Sequence, residues 1–464
     1  MKYFWIKVIS IILIFSVGLP AGKVNAQTAS TSGPVYIVQE GDSLWDIAYR
    51  FHVSQADLAN ANGIVDYNQI IVGQPLVIPG LAGIEGILTT EQVPFGETLR
   101  SLSLRYHLST ELLERLNHLT SPTELYVGYS LVILEENTSF TSGKRSLLGS
   151  NQSLLELSIL NNTDPWTILT NNQLNSSSDI LPGDVLRLSG EEDAGPGGLP
   201  PVITSASIST LIQGGTAEIQ IEGAAGFTLQ GSLMERTLDF SSKPDGNYVA
   251  LQGVSAMTDP GLYPINLQVT LPDQTSYGFS QEVWVSAGDF LYEILSVDPA
   301  TLDPEVTGPE DSEWYGLASQ LSPDQLWQGI FTLPVEPVFA ECYASRFGNR
   351  RSYNGSGYTY YHTGVDYCGQ VGDPIYAAAD GVVVFAGPLT VRGNATMIDH
   401  GWGVYSAYMH QSEILVNVGD HVEQGQLIGK VGNTGRVEGP HLHFEILVGG
   451  VQVDPLEWLD KVFP

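Results

Sequence analysis

This chain has few basic residues for its length. Only 19 of its 464 residues are Lys or Arg, whereas 51 are Asp or Glu, and the formal net charge is -32. Such a charge repels the phosphate backbone of nucleic acids, so a nucleic-acid partner is excluded. It also gives no attraction to any other anionic polymer, so adhesion to one needs specific contacts. We attribute the acidity to solubility in an extracellular, acidic or saline setting.

Long apolar runs are also scarce, because only the N-terminus carries one. Lys2 and Lys7 come first, residues 8–19 are apolar, and Pro20 and a small-residue end at Ala26 follow. This order predicts a secretory signal peptide over residues 1–26. The run is shorter than the roughly 20 residues of a spanning helix, so an uncleaved anchor is the weaker alternative. We expect an exported, soluble mature chain without stable membrane insertion.

Histidine, in contrast, is concentrated in one region, since six of the nine histidines lie between residues 362 and 443. They form the patterns His362-x-x-x-Asp366 and His441-x-His443, with His410 between them. Residues i and i+2, or i and i+4, point to the same face of a strand, so each pair can converge on one point. Two imidazoles and one carboxylate suit a catalytic zinc with an open position. A lone histidine is more often a surface residue, but this clustering predicts a metallohydrolase site.

Five segments around these histidines carry a more specific signal. They are residues 347–351 (FGNRR), 361–366 (YHTGVD), 381–383 (GVV), 431–435 (VGNTG) and 439–445 (GPHLHFE). Together they resemble the lysostaphin-type (LytM-like) zinc metallo-endopeptidases, which cut peptidoglycan peptides. The resemblance covers residues 335–464 and implies a C-terminal peptidase domain of packed antiparallel strands.

The resemblance also implies a role for each residue of the cluster. His362, Asp366 and His443 match the zinc ligands, so one Zn2+ is expected in the domain. His410 and His441 match the two unligated catalytic histidines. One of the pair is expected to take a proton from water, and the pair to stabilise the oxyanion and protonate the leaving amine. The spacing does not say which histidine is the base.

Other side chains near the cluster have weaker signals. His400 fits a position near the site. The family often has a tyrosine near the reacting carbonyl, and the local spacing leaves Tyr358, Tyr360 and Tyr361 as alternatives.

The chain has two cysteines, Cys342 and Cys368, and both lie in this region. They could be zinc ligands, but they lack C-x-x-C spacing and a complete ligand set already lies beside them. In an exported chain a disulfide is the better interpretation. Closing a loop of about 25 residues would stabilise the fold by roughly 3 kcal/mol in the loop-entropy picture.

Residues 35–80 have a strand, helix, helix, strand pattern. Residues 36–51 indicate a strand, a Gly-Asp turn and an amphipathic helix, and Ser54 begins a second helix before a closing strand at residues 72–79. This βααβ pattern resembles a LysM module, which binds glycans that contain N-acetylglucosamine. The resemblance implies a sugar groove lined by Gly41, Asp42, Ser43, Leu44, Asn62, Gly63 and Ile64. Taken singly, each of these residues also suits a turn or cap of a small fold.

The pattern recurs twice in degenerate form. Residues 90–135 place Gly96 where the first copy has Gly41, and residues 146–189 form a weaker third copy. Internal repetition predicts an array of wall-binding LysM modules. Because both later copies lack an aromatic at the Trp45 position and a clean Asn-Gly turn, they are either sugar binders or structural spacers.

The remaining segments differ in composition. Residues 190–201 form a Gly- and Pro-rich linker, and residues 202–290 alternate as in an Ig-like β-sandwich that acts as a spacer. Residues 291–334 form an acidic, Pro-rich connector that either positions the catalytic domain or covers its cleft until activation. The predicted fold class is therefore multi-domain and mainly β.

These interpretations predict a secreted, monomeric peptidoglycan hydrolase of the cell envelope. A zinc endopeptidase domain would cut cross-links or stems, and LysM binding to glycan would target it to the wall. The main alternative is a non-cutting envelope factor that activates or scaffolds another hydrolase, as family members that have lost ligands do. The complete five-residue set disfavours that alternative, and a pure glycan-binding adhesin leaves the histidine cluster unexplained.

Overall fold

The computed structural model describes residues 33–135, 143–190, 193–243 and 246–464. The predicted signal peptide, residues 1–26, lies outside the described residues. In the described ranges no helix is both long and apolar enough to cross a membrane. Strands predominate over helices, which confirms the mainly β fold class.

Three successive repeats each fold as strand, helix, helix, strand. In every repeat the two strands pair antiparallel, and a Ser, Thr or Asp side chain caps the start of both helices. Repeat 1 contains β1 (Val35–Ile37), α1 (Leu44–Arg50), α2 (Gln55–Asn62) and β2 (Pro75–Val77). Repeat 2 contains β3 (Leu88–Gln92), α3 (Leu99–Tyr106), α4 (Thr110–Asn117) and β4 (Ser130–Leu134). Repeat 3 contains β5 (Arg145–Leu147), α5 (Leu154–Leu160), α6 (Pro165–Asn171) and β6 (Val185–Arg187).

An asparagine ties the second helix of each repeat to its last strand. Asn62 donates to the carbonyls of Leu58 and Val77, both at 2.8 Å, and accepts from the N–H of Val77 at 2.7 Å. Asn117 and Asn172 make the same three bonds. The shared side chain gives the repeats a common register in which equivalent residues are 55 positions apart.

The next segment is a sandwich of two sheets. Its strands are β7 (Ile203–Ile208), β8 (Leu211–Ile212), β9 (Thr216–Gly223), β10 (Thr228–Leu233), β11 (Arg236–Leu238), β12 (Ser241–Ser242), β13 (Tyr248–Gly253), β14 (Gly261–Thr270) and β15 (Ser276–Ser286). One sheet has the order β11-β10-β14-β15-β8 and the other β12-β13-β9-β7. Apolar side chains of both sheets, such as Ile219 and Ile265, share one core. The Ig-like assignment stays a prediction.

The connector that follows contains β16 (Tyr292–Leu295) and α7 (Pro304–Ala318). The Glu310 carboxylate of α7 accepts the backbone N–H groups of Thr390, Val391 and Arg392 and also pairs with the Arg392 guanidinium at 3.0 Å. Trp314, on the same helix, is buried. The connector is therefore docked on the C-terminal domain.

The C-terminal domain is built from antiparallel strands and one terminal helix. These are β17 (Tyr343–Ser345), β18 (Arg350–Tyr353), β19 (Tyr360–Tyr361), β20 (Val365–Cys368), β21 (Pro374–Tyr376), β22 (Gly381–Leu389), β23 (Gly393–Gly401), β24 (Val404–Gln411), β25 (Glu413–Ile414), β26 (His421–Val422), β27 (Leu427–Lys430), β28 (His441–Val448), β29 (Val451–Val453) and α8 (Pro455–Asp460). The main sheet has the order β17-β20-β28-β24-β23-β22-β26, and β29 also pairs with β28. The connector strand β16 adds in parallel to β18.

The predicted disulfide is confirmed, since Cys342 and Cys368 are bonded across a sequence separation of 26. Cys368 ends β20, and its N–H donates to the carbonyl of Cys342 at 3.0 Å. The bridge therefore fastens the entry of the domain to the end of β20.

The sandwich and the C-terminal domain share a hydrophobic core. Val249 and Leu251 of β13 belong to the same buried cluster as Trp458 of α8. The Trp458 indole N–H donates to the Thr216 hydroxyl at 3.0 Å, and the Glu457 carboxylate accepts the Thr216 N–H at 2.9 Å. The segment predicted as a spacer thus packs directly against the domain that follows it.

Candidate active site

Antiparallel pairing collects the histidine cluster on neighbouring strands. Asp366 on β20 and His443 on β28 lie opposite each other in the register. On the other side of β28, His443 faces Met409 of β24, and His410 comes next in the chain. His362 comes just before β20, and His441 begins β28. The structure therefore brings together the cluster that spacing predicted.

Three of these residues direct donor atoms to one point. His362 Nε2 lies 3.0 Å from Asp366 Oδ1 and 3.0 Å from His443 Nδ1, and His443 Nδ1 lies 2.7 Å from Asp366 Oδ1. All three residues are buried. Zinc holds such ligands at about 2.0–2.2 Å, so tetrahedral donor atoms lie about 3.3 Å apart. The donor set and its spacing therefore fit one zinc ion.

Backbone and carboxylate partners decide which nitrogen each of these histidines presents. His362 Nδ1 donates to the carbonyl of Arg346 at 2.9 Å, which leaves Nε2 for a metal. His443 Nε2 donates to Glu445 Oε1 at 3.0 Å, which leaves Nδ1. Glu445 was not predicted from sequence. Its only signal is its place two residues after His443, on the same face of β28. Such partners orient metal ligands and raise their basicity.

His410 and His441 lie beside this group without joining it. His410 Nδ1 donates to the carbonyl of Thr434 and His441 Nδ1 to the carbonyl of Gly439, both at 2.8 Å. Each ring therefore keeps Nε2 as an acceptor, and the two ring centroids are 5.0 Å apart. His410 has a φ of 62°, an uncommon value for a residue other than glycine. The register of β24 against β23 shifts around this residue, which turns its ring to the cleft.

The charges in the site favour a cation at its centre. Burial opposes ionisation of Asp366, yet His362 and His443 hold the pKa of that carboxyl well below its usual range. Burial lowers the pKa of His443, but Asp366 and Glu445 overcome it and raise the value to about 9. Burial, together with His443 and His441, lowers the pKa of His410 to about 3. The carboxylates therefore stabilise positive charge between them, whereas His410 stays neutral.

The cluster opens into a cleft of about 760 Å3, which the connector helps to line. Glu293 of β16 accepts from Arg351 at 3.0 Å, and Arg351 in turn lies 3.6 Å from Asp366 Oδ2. Arg436, just before β28, donates to the carbonyl of Thr301 at 3.0 Å. The connector thus forms one wall of the cleft, next to a predicted metal ligand.

Two of the uncertain sequence assignments are clarified by this cleft. Tyr360 and Tyr361 line it, together with Tyr315 of α7.

The prediction that His400 lies near the site is wrong. Its ring bonds to the carbonyl of Asp380 and the hydroxyl of Ser406, both at 2.7 Å, within the core. Strand alternation alone could not distinguish a histidine in the domain core from one beside the metal site.

Comparison with known families agrees with this geometry. Residues 360–455 match Peptidase family M23. The C-terminal domain is thus similar to peptidase family M23 over these residues. Residues 36–79 and 92–133 match the LysM domain, and these ranges correspond to repeats 1 and 2. The predicted combination of a LytM-like peptidase domain with LysM modules is therefore confirmed, while a LysM assignment of repeat 3 stays a prediction.

Individual relatives resemble mainly the M23 domain. Peptidoglycan DD-endopeptidase ShyC of Vibrio cholerae is 44% identical over 112 residues, which are 24% of this chain and 26% of that protein. DD-carboxypeptidase/endopeptidase Mpg of Neisseria meningitidis is 46% identical over 95 residues, 20% of this chain and 22% of that protein. The chain therefore spans about a quarter of the length of these relatives. The antimicrobial peptidase lysostaphin from Staphylococcus simulans is 37% identical, with 21% of this chain and 44% of that one covered and a TM-score of 0.21.

The residues predicted to line a sugar groove in repeat 1 are strongly engaged in the fold. Asp42 accepts from the Tyr36 hydroxyl at 2.7 Å and pairs with Arg50 at 3.0 Å. Ser43 caps α1, Leu44 is buried, and Asn62 is held by β2 as described above. Gly41 and Gly63 have φ values of 89° and 65°, which glycine adopts without strain. Ile64 is partly buried. The polar side chains of these turns therefore stabilise the fold of repeat 1, and glycan binding by the turns stays a proposal.

Proposed function

We propose that this protein is a zinc-dependent endopeptidase that cleaves peptide bonds in peptidoglycan. The observation that carries the proposal is the five-residue cluster, in which three donor atoms converge and two further histidines face the same cleft. The names of its M23 relatives, which include peptidoglycan DD-endopeptidases, support D,D cross-links as the bond cleaved.

His362 Nε2, Asp366 Oδ1 and His443 Nδ1 would hold the zinc ion. When bound, zinc lowers the pKa of water and polarises the scissile carbonyl. The hydrogen bonds from His362 to Arg346 and from His443 to Glu445 keep both rings in the tautomer and orientation that this role needs.

His410 and His441 are suited to move protons. Each has Nδ1 fixed on a backbone carbonyl, so the free Nε2 can accept a proton from water and return it to the leaving amine. A protonated Nε2 also donates to the oxyanion that develops on the carbonyl oxygen. We assign both steps to the pair, because each ring holds Nδ1 on a backbone carbonyl and faces the cleft, although only His441 Nε2 also lies 3.5 Å from Asp366 Oδ1.

Binding to the wall is proposed to come from the LysM repeats and not from charge. The formal charge of -32 gives no attraction to an anionic wall, so glycan contacts would supply the targeting. A secreted monomer acting in the cell envelope fits this arrangement, since both predicted binding partners are parts of peptidoglycan.

The test is release of free amines from purified peptidoglycan by the full-length mature protein. We expect release that stops when zinc is chelated, returns when zinc is restored, and is lost in His441→Ala. Mass spectra of the fragments identify the bond. Tight zinc binding without any amine release would reject the endopeptidase and favour the non-cutting activator.

A further inference from the structure

The common register lets equivalent positions of the three repeats be compared. The turn before the first helix, which we call the ligand turn, comprises residues 41–44 in repeat 1, 96–99 in repeat 2 and 151–154 in repeat 3. In repeat 1 this turn is open, since a Cβ added at Gly41 would have nothing within 4 Å. In repeat 3, Ser150, Asn151 and Ser153 are exposed. Repeat 2 differs from both.

The ligand turn of repeat 2 is covered by a later part of the same chain. The N–H of Gly198 donates to the carbonyl of Gly96 at 2.9 Å. The N–H of Gly197 donates to Glu97 Oε1 at 3.2 Å. A Cβ at Gly96 would lie only 2.6 Å from Pro196 Cβ. Residues 196–199, the linker segment, therefore lie directly on this turn.

The linker segment is also held from its other side. The buried guanidinium of Arg145 donates to the carbonyl of Pro196 at 2.5 Å and pairs with Asp193 at 2.9 Å. Leu199 is fully buried in the core of the sandwich. Only glycine fits next to the turn, because a Cβ at Gly198 would lie 2.7 Å from the Gly96 carbonyl oxygen. The segment is thus built into the junction of repeats 2 and 3 with the sandwich.

The helix that follows the ligand turn shows the same contrast. In repeat 2, Arg100 pairs with Asp184 of repeat 3 at 2.6 Å, and Leu104 belongs to the hydrophobic core of repeat 3. The equivalent residues of repeat 1, Trp45 and Tyr49, are 59% and 73% exposed and stack on each other at 5.4 Å. In repeat 3 the equivalents are Leu155 and Ile159, and both are exposed.

We infer that repeat 2 is a structural joint whose ligand turn binds the chain's own linker segment, so that repeats 1 and 3 carry the glycan contacts. The occupant is a short backbone turn whose N–H groups donate to the carbonyl of Gly96 and the carboxylate of Glu97, so the same surface can accept hydrogen bonds from a polar ligand. Because the linker is covalently attached, it meets the turn in an intramolecular contact, which favours it over a dilute free glycan. The inference rests on the proposed glycan binding by this array.

The test is hydrogen exchange of the full-length protein with and without a soluble N-acetylglucosamine oligomer. At about ten times Kd, exchange through local opening slows by roughly tenfold wherever the ligand binds. We expect slowing at residues 41–44 and 151–154 and none at 96–99. Slowing at 96–99, or its absence at 151–154, overturns the inference.

A substitution that expels the linker segment supplies a second test. Gly198→Val places methyl groups against Gly96, whereas the control Gly278→Val sits in a sandwich strand where only a Gln268 side chain comes within 4 Å. We expect the first variant alone to gain oligomer-dependent slowing at residues 96–99. If the linker segment is expelled and the oligomer still does not slow exchange at residues 96–99, the inference that the linker occludes this turn is overturned. If the wild type shows no slowing in any repeat, the proposed glycan binding and this inference both fail. The peptidase activity is tested independently by the release of amines.

Discussion

At the scale of single residues, the partners behind the histidines matter as much as the ligands. A carboxylate or carbonyl can only accept, so each contact forces the proton onto a known nitrogen. Glu445 does this for His443 from a position that is 2% exposed. A carboxylate so deeply buried is retained only where it is paired.

We predict that Glu445→Gln weakens zinc binding by roughly 10- to 100-fold, the usual cost of losing such a partner. The amide keeps the shape of the side chain but loses the charge that raises the basicity of His443. Competition with a chromophoric chelator measures the affinity. The exposed Glu413, which pairs with Lys430, provides the control Glu413→Gln, for which no change is expected. Equal zinc affinity in both variants would show that Glu445 serves only packing.

Part of the site could be predicted from sequence because it follows from the two-residue period of a strand. His441 and His443 share one face of β28, whereas His362 lies in the loop before β20, and its role as a ligand is implied by the family resemblance. Their partners could not be found in this way. The accepting groups of Arg346, Thr434 and Gly439 are backbone carbonyls, which every residue has, so the residue types at these positions do not reveal them.

At the scale of elements, the asparagine that recurs every 55 residues explains why the degenerate repeats still fold. The Asn-Gly pair of repeat 1 becomes Asn-His in repeat 2 and Asn-Gln in repeat 3. The second residue keeps a left-handed conformation, with φ values of 65°, 53° and 49° at Gly63, His118 and Gln173. The lost glycine therefore costs backbone strain, while the asparagine bonds that define the turn are kept.

We predict that Asn117→Ala destabilises repeat 2 by roughly 1–3 kcal/mol, because Val132 N–H and two carbonyls lose their buried partner. Asn117→Asp is expected to cost more, since a carboxylate would face the carbonyls that the amide now satisfies. Hydrogen exchange within repeat 2 measures the effect. The exposed Asn60 on α2 supplies the control Asn60→Ala, which should leave stability nearly unchanged. Milder destabilisation by aspartate than by alanine would contradict this account of the bonds.

The connector helix α7 is fixed by one carboxylate that satisfies three consecutive N–H groups and an arginine. We predict that Glu310→Ala releases this helix and speeds proteolysis of residues 296–318 by at least several-fold, because cleavage follows the population of the open form. Glu313→Ala, on an exposed position of the same helix, is the control. If the two variants are cleaved at equal rates, the helix is held by its other contacts, which include buried Trp314 and the ion pair between Asp311 and Arg392 at 2.8 Å.

At the scale of the whole molecule, the modules could be predicted one by one, but their association could not. Each module has a local period or motif of its own. The contacts that join them connect residues far apart in sequence, such as Thr216 with Trp458 or Gly96 with Gly198. No periodicity encodes such pairs. For this reason the linker and the sandwich look like spacers in sequence and prove to be packed parts of the structure.

The shared core leads to a prediction about fragments. A fragment of residues 335–464 covers the whole M23 match, but it lacks Val249, Leu251 and Ala256, which are buried in the same cluster as Trp458. It also lacks Trp327 and Phe331 of the connector, both nearly fully buried. Burying one such side chain contributes about 1.5–3 kcal/mol, so we expect the fragment to be less stable than a chain of residues 202–464 by roughly 3 kcal/mol or more.

Denaturant unfolding followed by tryptophan fluorescence compares the two, and equal midpoints would show that the family domain folds independently of its neighbours. Because the fragment also lacks Glu293 beside Arg351, loss of amine release by the fragment alone would not count against the proposed catalytic residues.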